Sequence, residues 1–156
     1  MSITLAQNLR ANRVGNMRLR EICRVGLVTS IQDVVQAMVR SRAGCALILD
    51  GNALVGIFTE HDFLKRVVAR SVDPTRPVHE VMTTDPKTID QQATVLAAIE
   101  MMESGGYRHL PVIGEGSKPI GVVSAGDIVR YLVDLLPARK QDLPLAAQPE
   151  LARNRA

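Results

Sequence analysis

Apolar and polar positions follow the same order of patterns twice along this chain. Each copy begins with apolar residues at helical spacing that lead to a glycine, which predicts a helix with a glycine at its carboxyl end. Two short apolar runs joined by a polar turn follow, which predicts a β-hairpin, and a second helical pattern ends the copy. The helix, hairpin and helix cover residues 31–44, 45–58 and 63–69 in the first copy and 94–107, 109–123 and 128–136 in the second.

A short strand pattern precedes each copy, at RVGLVTS (24–30) and at PKTID (86–90). The sequence therefore predicts an α/β fold made of two βαββα units. This alignment sets the copies 63 residues apart in the first helix and 65 apart after the hairpin, because the second turn is longer. The predicted boundaries are a basic arm or helix at 1–21, a first repeat at 22–70, a connector at 71–82, a second repeat at 83–136 and a tail at 137–156.

Each repeat is too small to bury a comfortable core alone, so the two repeats are expected to close on each other about a pseudo-two-fold axis. The connector contains three prolines between residues 71 and 86, and it has one candidate helical turn at PVHEVM (77–82). Two apolar helix faces could serve either the core or a contact between chains, namely Val34, Val35 and Met38 in the first copy and Ala97, Ala98 and Met101 in the second.

A hydroxyl residue and an aspartate three positions later follow the hairpin in both copies, as Thr59 with Asp62 and as Ser124 with Asp127. This spacing predicts a capping box at the start of a helix, worth about 1 kcal/mol per helix. The same groups lie at the carboxyl end of a strand beside a helix amino terminus, where anions are stabilised. A carboxylate can accept hydrogen bonds from a ribose diol, as in dinucleotide-binding folds. The pair is therefore also a candidate reader of a ribose phosphate.

The duplicated motif GIFTEHD (56–62) and GVVSAGD (121–127), together with GYRHLPVI (106–113), resembles a tandem pair of cystathionine-β-synthase (CBS) domains, or Bateman module. The resemblance covers about residues 22–136 and is more specific in the second half. It implies a non-catalytic regulatory module, of the energy-sensing kind, that acts on a protein target not identifiable from sequence. The implied ligands are AMP, ADP, ATP, S-adenosylmethionine or NAD-type molecules, and the implied assembly is a homodimer shaped as a disc of four CBS units.

The resemblance implies that Asp62 and Asp127 contact ribose hydroxyls and that Thr59 and Ser124 contact phosphate. These four residues would place one ligand site in each repeat.

Three further residues would complete the two sites by the same resemblance. Ile57 and Val122 would form apolar walls beside the adenine. Thr83, in VMTTDP, lies just before a strand, at a position that in the family approaches the ligand of the other repeat.

Arg108 and His109 match family positions that reach phosphates, and the sequence alignment sets them opposite Cys45 and Ala46 in the first repeat. Cys45 and Ala46 cannot supply positive charge. Unequal sites are therefore expected, and a structural, hydrogen-bonded His109 is the competing interpretation.

Composition limits the alternatives. The 156 residues are 46% hydrophobic but only 3% aromatic, which argues against a stacking platform for single-stranded nucleic acid. The net charge is +3, and residues 1–24 alone carry five arginines against one glutamate. One alternative function is therefore nucleic-acid binding through the arginine-rich arm. Another is a dimeric adaptor whose clefts take no ligand.

Other chemistry finds little support in the sequence. The two cysteines lack CxxC spacing and fit a reduced, cytoplasmic protein. No leader and no membrane-spanning stretch is recognisable, so no membrane partner is expected. The sequence lacks a phosphate loop and a nucleophile elbow, and the adjacent residues of EHD (60–62) point in different directions on a helix. No enzyme activity, no metal and no required cofactor are predicted.

Overall fold

A computed structural model describes residues 4–136, which include five helices and seven strands. The predicted tail at 137–156 lies outside the described residues. Helix α1 (Leu5–Ala11) comes first, and a 3₁₀ turn at Val14–Asn16 follows it. The first repeat has β1 (Arg24–Gly26), α2 (Ile31–Ser41), β2 (Cys45–Asp50), β3 (Ala53–Thr59) and α3, which is α-helical at Glu60–Asp62 and continues as a π-helix at Phe63–Val68. A 3₁₀ turn at Val78–Glu80 and β4 (Thr83–Thr84) lead to the second repeat, with β5 (Ile89–Asp90), α4 (Val95–Gly105), β6 (His109–Ile113), β7 (Pro119–Ser124) and α5 (Ala125–Leu135).

The predicted α/β fold with two βαββα repeats is confirmed, and the structure corrects the spacing between them. The first helices of the repeats begin after the capping residues Ser30 and Thr94, which are 64 residues apart. The sequence alignment had set this offset at 63. The side-chain hydroxyl of each cap accepts a backbone N–H three residues on, and this local chemistry fixes where each helix starts.

The helix ends also differ from the sequence pattern in one copy. α4 ends at Gly106 with φ +67°, as the glycine rule predicts. α2 ends instead at Arg42, which itself adopts a left-handed conformation with φ +52°. The predicted role of Gly44 as the helix stop is therefore wrong, and this glycine serves the candidate site described below.

The two sheets share one arrangement of strands. The first has the order β1-β2-β3-β4, and the second has the order β5-β6-β7. In each, the first strand runs parallel to the second, and the two hairpin strands are antiparallel. Parallel pairing requires a crossover, which α2 and α4 supply.

The segment in front of each repeat packs on the other repeat. Residues of the connector pair with the start of α2 through a bridge between Ser30 and Pro77. Residues of the amino-terminal segment pair with the start of α4 through the equivalent bridge between Arg13 and Thr94. Arg13 precedes Pro77 by the same number of residues as Ser30 precedes Thr94. The amino-terminal segment and the connector are therefore pseudo-symmetric counterparts.

The same exchange continues at the sheet edges. Thr83 of β4 pairs antiparallel with Ile57 of β3. Arg20 pairs antiparallel with Val122 of β7, with backbone N···O distances of 3.2 and 3.4 Å. Arg20 therefore occupies in the second sheet the place that Thr83 occupies in the first.

Each repeat has its own apolar core, and a third cluster joins the sheets. Phe58 and Val78 are fully buried in the first core, and Val14 of the amino-terminal segment is fully buried in the second. The joining cluster contains Cys45, Leu47, Ile57 and Val122. On α2 the structure separates core from surface, because Val34 and Met38 are buried while Val39 is 72% exposed.

Candidate functional site

Both hydroxyl and aspartate pairs form complete capping boxes. Thr59 Oγ1 accepts the N–H of Asp62 at 3.1 Å, and Asp62 Oδ2 accepts the Thr59 N–H at 3.0 Å and its hydroxyl at 2.8 Å. Ser124 and Asp127 repeat this geometry at 3.1, 2.9 and 2.6 Å. In each box Oδ2 accepts both local hydrogen bonds from the capping residue, and Oδ1 accepts neither of them. The predicted capping function is therefore present in both repeats.

The first cleft, which we define as the cavity beside Thr59 and Asp62, has a volume of about 590 Å³. It lies between the repeats, since both contribute to its walls. Six of the nine residues predicted for ligand contact line it, namely Ile57, Thr59, Asp62, Thr83, Arg108 and His109. A cavity of this size falls within the range of small-molecule sites.

Gly44 allows the second repeat to reach into the first cleft. A Cβ atom at this position would lie 2.8 Å from His109 Nε2. Because Gly44 has no side chain, the imidazole ring of His109 fits against it. Gly44 directly precedes Cys45, the residue of β2 that pairs with Thr59. Burial lowers the pKa of His109, and the nearby carboxylate of Glu60 opposes that shift.

The strand register corrects the sequence alignment around these residues. Cys45 pairs with Thr59, and His109 pairs with Ser124. The counterparts of Arg108 and His109 are therefore Gly44 and Cys45, not Cys45 and Ala46. The alignment error follows from the helix offset of 63, which was one residue too small.

Four polar or aromatic residues of the first cleft were missed by the sequence analysis. They line the cavity together with the predicted residues, and they are Glu60, His61, Lys87 and Tyr107. Lys87 lies in the TDPK segment just after Thr83, and Tyr107 precedes Arg108. Their positions next to predicted site residues were the available signal. The cleft thus combines the cationic groups of Lys87 and Arg108 with the carboxylates of Glu60 and Asp62.

The other three predicted residues, Val122, Ser124 and Asp127, belong to the second repeat and are all buried. Arg20 approaches them from the amino-terminal segment. Its Nε donates to Asp127 Oδ1 at 3.0 Å and to Oδ2 at 3.2 Å. Burial alone would raise the pKa of Asp127, but hydrogen bonds from Ser124 and Arg20 outweigh burial and hold that pKa below its ordinary value.

Each aspartate also has an arginine of its own helix beside Oδ1. Arg130 Nη1 lies 3.6 Å from Asp127 Oδ1, and Arg66 is the equivalent neighbour of Asp62. Asp62 Oδ1 lies 3.3 Å from Nε of Arg66, which is on its own helix α3. The same guanidinium donates from Nη1 to the carbonyls of Val81 and Met82, at 3.0 and 2.7 Å. Arg66 therefore links the π-helical part of α3 to the connector and to Asp62, which lines the first cleft.

Residues 4–136 contain neither a cluster of metal-ligating groups nor a membrane-spanning helix. That part of the chain has no cluster of three or more His, Cys, Asp or Glu side chains arranged to hold a metal ion. Within the same residues, none of the helices has the length and apolar character needed to span a membrane.

Comparison with known proteins identifies both repeats. The model of the CBS domain family matches residues 20–69 and 78–134. An uncharacterized 17.7 kDa protein of Acidianus ambivalens is 32% identical over 126 residues, which are 80% of this chain and 76% of that protein. Of other curated relatives the chain spans only 14% to 53% of the length.

Solved structures share the same fold. A CBS-domain protein from Burkholderia ambifaria matches with a TM-score of 0.69 and 26% identity, over 92% of this chain and 99% of that one. A CBS-domain protein from Pyrobaculum aerophilum, solved as a complex with AMP, matches with a TM-score of 0.70 and 23% identity, over 79% of this chain and 99% of that one.

Proposed function

The chain belongs to the CBS domain family as a tandem pair of repeats, and we propose that it is a regulatory module that binds an adenosine nucleotide in the first cleft. The observation that carries the proposal is the convergence of Thr59 and Asp62 from one repeat with Arg108 and His109 from the other around a single cavity. The AMP complex of the Pyrobaculum protein supports the choice of ligand class.

Each group in the first cleft has a chemical role in this proposal. Asp62 Oδ1 accepts hydrogen bonds from the ribose diol. Thr59 and the amino terminus of α3 receive a phosphate oxygen. Ile57 forms an apolar wall for the adenine, and Thr83 lines the same cavity.

Cationic groups in the lining of the cavity suit the phosphate end of the ligand. Arg108 and Lys87 supply two of them. His109 becomes a third cation when a phosphate dianion beside it favours its protonated form. An adenosine without phosphate is therefore expected to bind more weakly than AMP.

A ligand held by both repeats can act as a sensor signal. Because Thr59 and Arg108 come from different repeats, a bound nucleotide favours the arrangement of the repeats in which both contact it. The size of this population shift is limited by the difference in ligand affinity between the two arrangements. A protein partner that recognises one arrangement then responds to nucleotide concentration.

Calorimetric titration with AMP, ADP, ATP, S-adenosylmethionine and NADH tests the binding function. We expect at least one of these to bind, and Asp62→Ala to weaken binding by about 10- to 100-fold through loss of a charged hydrogen-bond acceptor. Asp50→Asn removes an exposed carboxylate in the β2–β3 hairpin and should bind normally. Absence of binding by the wild-type chain to every compound would leave the adaptor function as the better account.

The module is proposed to bind its nucleotide without turning it over. Cys45, the counterpart of His109, is buried, and burial raises the pKa of its thiol to about 12, so it is no ready nucleophile. Incubation with ATP followed by chromatography should return the ATP unchanged. The two buried, unpaired cysteines also fit the proposed cytoplasmic location.

Exposed apolar side chains on the helices favour a homodimer. Val39 on α2 and Leu64 and Val68 on α3 are 72%, 60% and 55% exposed. Val129 and Val133 form a similar apolar stripe on α5 of the other repeat. A second copy of the chain has the same two stripes. Because the repeats are related by a pseudo-two-fold axis, both stripes of one copy can pack against those of the other, as the predicted disc requires.

Sedimentation analysis of Leu64→Glu tests this assembly. A charged side chain at an apolar interface between copies should shift the protein to a monomer. Lys65→Glu changes the charge of the neighbouring exposed position and should leave the assembly intact. Identical sedimentation of wild type and Leu64→Glu would argue against this interface.

The nucleic-acid alternative depends on a free arginine arm. In the structure, Val14 of that arm is fully buried and Arg20 is bound to Asp127. Deletion of residues 1–20 would therefore damage the second core and is a poor test. Titration with duplex DNA at two salt concentrations is better, because phosphate contacts weaken steeply with salt.

A further inference from the structure

The second cleft is the position beside Ser124 and Asp127 that corresponds to the first cleft. Besides Arg108 and His109 against Gly44 and Cys45, the clefts differ at the residue that pairs with the sheet edge. Thr83 pairs with Ile57 in the first sheet, and Arg20 pairs with Val122 in the second. Thr83 is short and lines the open cavity of the first cleft. Arg20 carries a guanidinium long enough to reach the aspartate of the capping box in its cleft.

The contact of Arg20 with Asp127 is shortest at Oδ1, the oxygen that the capping box does not use. Ser124 donates twice to Oδ2 of Asp127, and Arg20 Nε lies 3.0 Å from Oδ1 and 3.2 Å from Oδ2. The side chain of Asp127 is only 4% exposed, while that of Arg20 is 45% exposed. The arginine therefore covers the carboxylate from the solvent side, where a ligand would enter.

The backbone holds Arg20 in place for this contact. Its N–H and carbonyl both bond to Val122, the residue two positions before Ser124 on β7. Leu19 beside it packs on the second core. The guanidinium is consequently presented to Asp127 by an ordered strand segment.

We propose that Arg20 acts as an internal ligand of the second repeat, taking the place of the ribose diol on Asp127, so that the chain binds one nucleotide in the first cleft and none in the second. This inference rests on the proposed function. We call the ion pair between Arg20 and Asp127 the Arg20 latch. A nucleotide must break the latch to use Asp127, and its apparent affinity falls by the fraction of molecules in which the latch is closed.

Replacing Arg20 by the residue of its counterpart tests the latch. Arg20→Thr gives the second cleft the side chain that Thr83 supplies to the first. Calorimetry with AMP and with ATP should give one bound nucleotide per wild-type chain and two per Arg20→Thr chain. Arg20→Lys keeps the charge but loses the Nε contact, and it should give an intermediate result.

Matched variants separate the latch from trivial effects. Arg18→Thr removes an exposed arginine of the same segment and should keep the stoichiometry at one. Adding Asp62→Ala to Arg20→Thr should leave one bound nucleotide, now in the second cleft, and adding Asp127→Asn instead should leave one in the first. Circular dichroism and thermal unfolding of every variant establish that it is folded.

The outcomes distinguish the latch from the function on which it rests. Two nucleotides on the wild-type chain, or one on both wild type and Arg20→Thr, would overturn the latch while nucleotide binding stands. Binding of neither AMP nor ATP to any of the proteins would overturn both. A gain of one site in Arg20→Thr that Asp127→Asn removes supports the latch.

Discussion

Gly121 faces Leu19 so closely that a Cβ atom on the glycine would lie 2.7 Å from the leucine Cβ. Its counterpart Gly56 faces Met82 in the same way, and a Cβ there would collide with the methionine sulfur. These are the glycines that open the duplicated motif. Because each glycine lacks a side chain, the segment that precedes the other repeat can cross the sheet there. The capping box begins three residues after each glycine, within reach of that segment.

Gly121→Ala is expected to lower the free energy of unfolding by roughly 1–3 kcal/mol, because the added methyl group overpacks a site formed by the Leu19 side chain. Urea denaturation measures the change. Gly126→Ala is the matched control, since its Cβ would meet Ser124 Oγ at an ordinary 3.7 Å within helix α5. The control should be neutral or stabilising by up to about 1 kcal/mol. Equal stability of the two variants would show that the crossing is loose.

Local sequence signals predicted much of this molecule. The capping boxes at Thr59 and Ser124 could be read from spacing because the hydrogen bonds that define them lie within four residues. The hairpins and their apolar cores follow in the same way from alternation and turns. The open cavity around Asp62 and Arg108 came from the repeat together with the resemblance to the CBS family.

The role of the amino-terminal segment was not predictable by the same means. Arg20 meets Val122 and Asp127 across more than a hundred residues, and nothing local to RLREI (18–22) announces that pairing. A signal did exist, because Val14 and Val78 occupy the same place before the two repeats and both are fully buried. Alignment of the amino-terminal segment with the connector would have found it.

Capping gives a second test on stability. Ser124→Ala and Thr59→Ala each remove an acceptor for a helix N–H and a donor to the aspartate, and each should cost about 1–2 kcal/mol in the free energy of unfolding. Thr94→Ala removes a cap that only accepts from Ala97 N–H, so a smaller loss is expected. Chemical denaturation of the three variants gives the order. A larger loss for Thr94→Ala would contradict the importance of the reciprocal bonds.

Arg66 provides a test of how the first cleft is supported. In Arg66→Ala the carbonyls of Val81 and Met82 and Oδ1 of Asp62 lose their shared donor, which should lower the free energy of unfolding by about 1–3 kcal/mol. Nucleotide affinity should fall as well, because Asp62 is less firmly held. Lys65→Ala, at the exposed neighbouring position, is the control for charge loss. Thermal unfolding and calorimetry report both effects, and wild-type behaviour of Arg66→Ala would show that Asp62 needs no such support.

His109 makes the free energy of unfolding depend on pH around the ordinary pKa of histidine. Burial lowers its pKa below the ordinary value of 6.5, although Glu60 and Asp127 oppose the shift and Arg20 and Arg108 add to it. The unfolded chain therefore binds more protons than the folded chain just below pH 6.5, so this stability is complete above pH 6.5 and is lost as the pH falls towards the folded pKa.

The lowered pKa of Asp127 acts in a separate window, because its stabilisation is lost only as the pH falls below its ordinary value of 3.8. His109→Gln keeps a polar side chain against Gly44 without titrating. The difference in the free energy of unfolding between wild type and this variant, measured between about pH 5 and 8, should therefore decline as the pH falls below 6.5. The other histidines are present in both proteins and cancel in the difference. If the stability curves of wild type and variant are parallel throughout this range, the imidazole takes a proton as readily in the folded chain as in the unfolded one. Its packing against Gly44 would then be looser than the structure indicates.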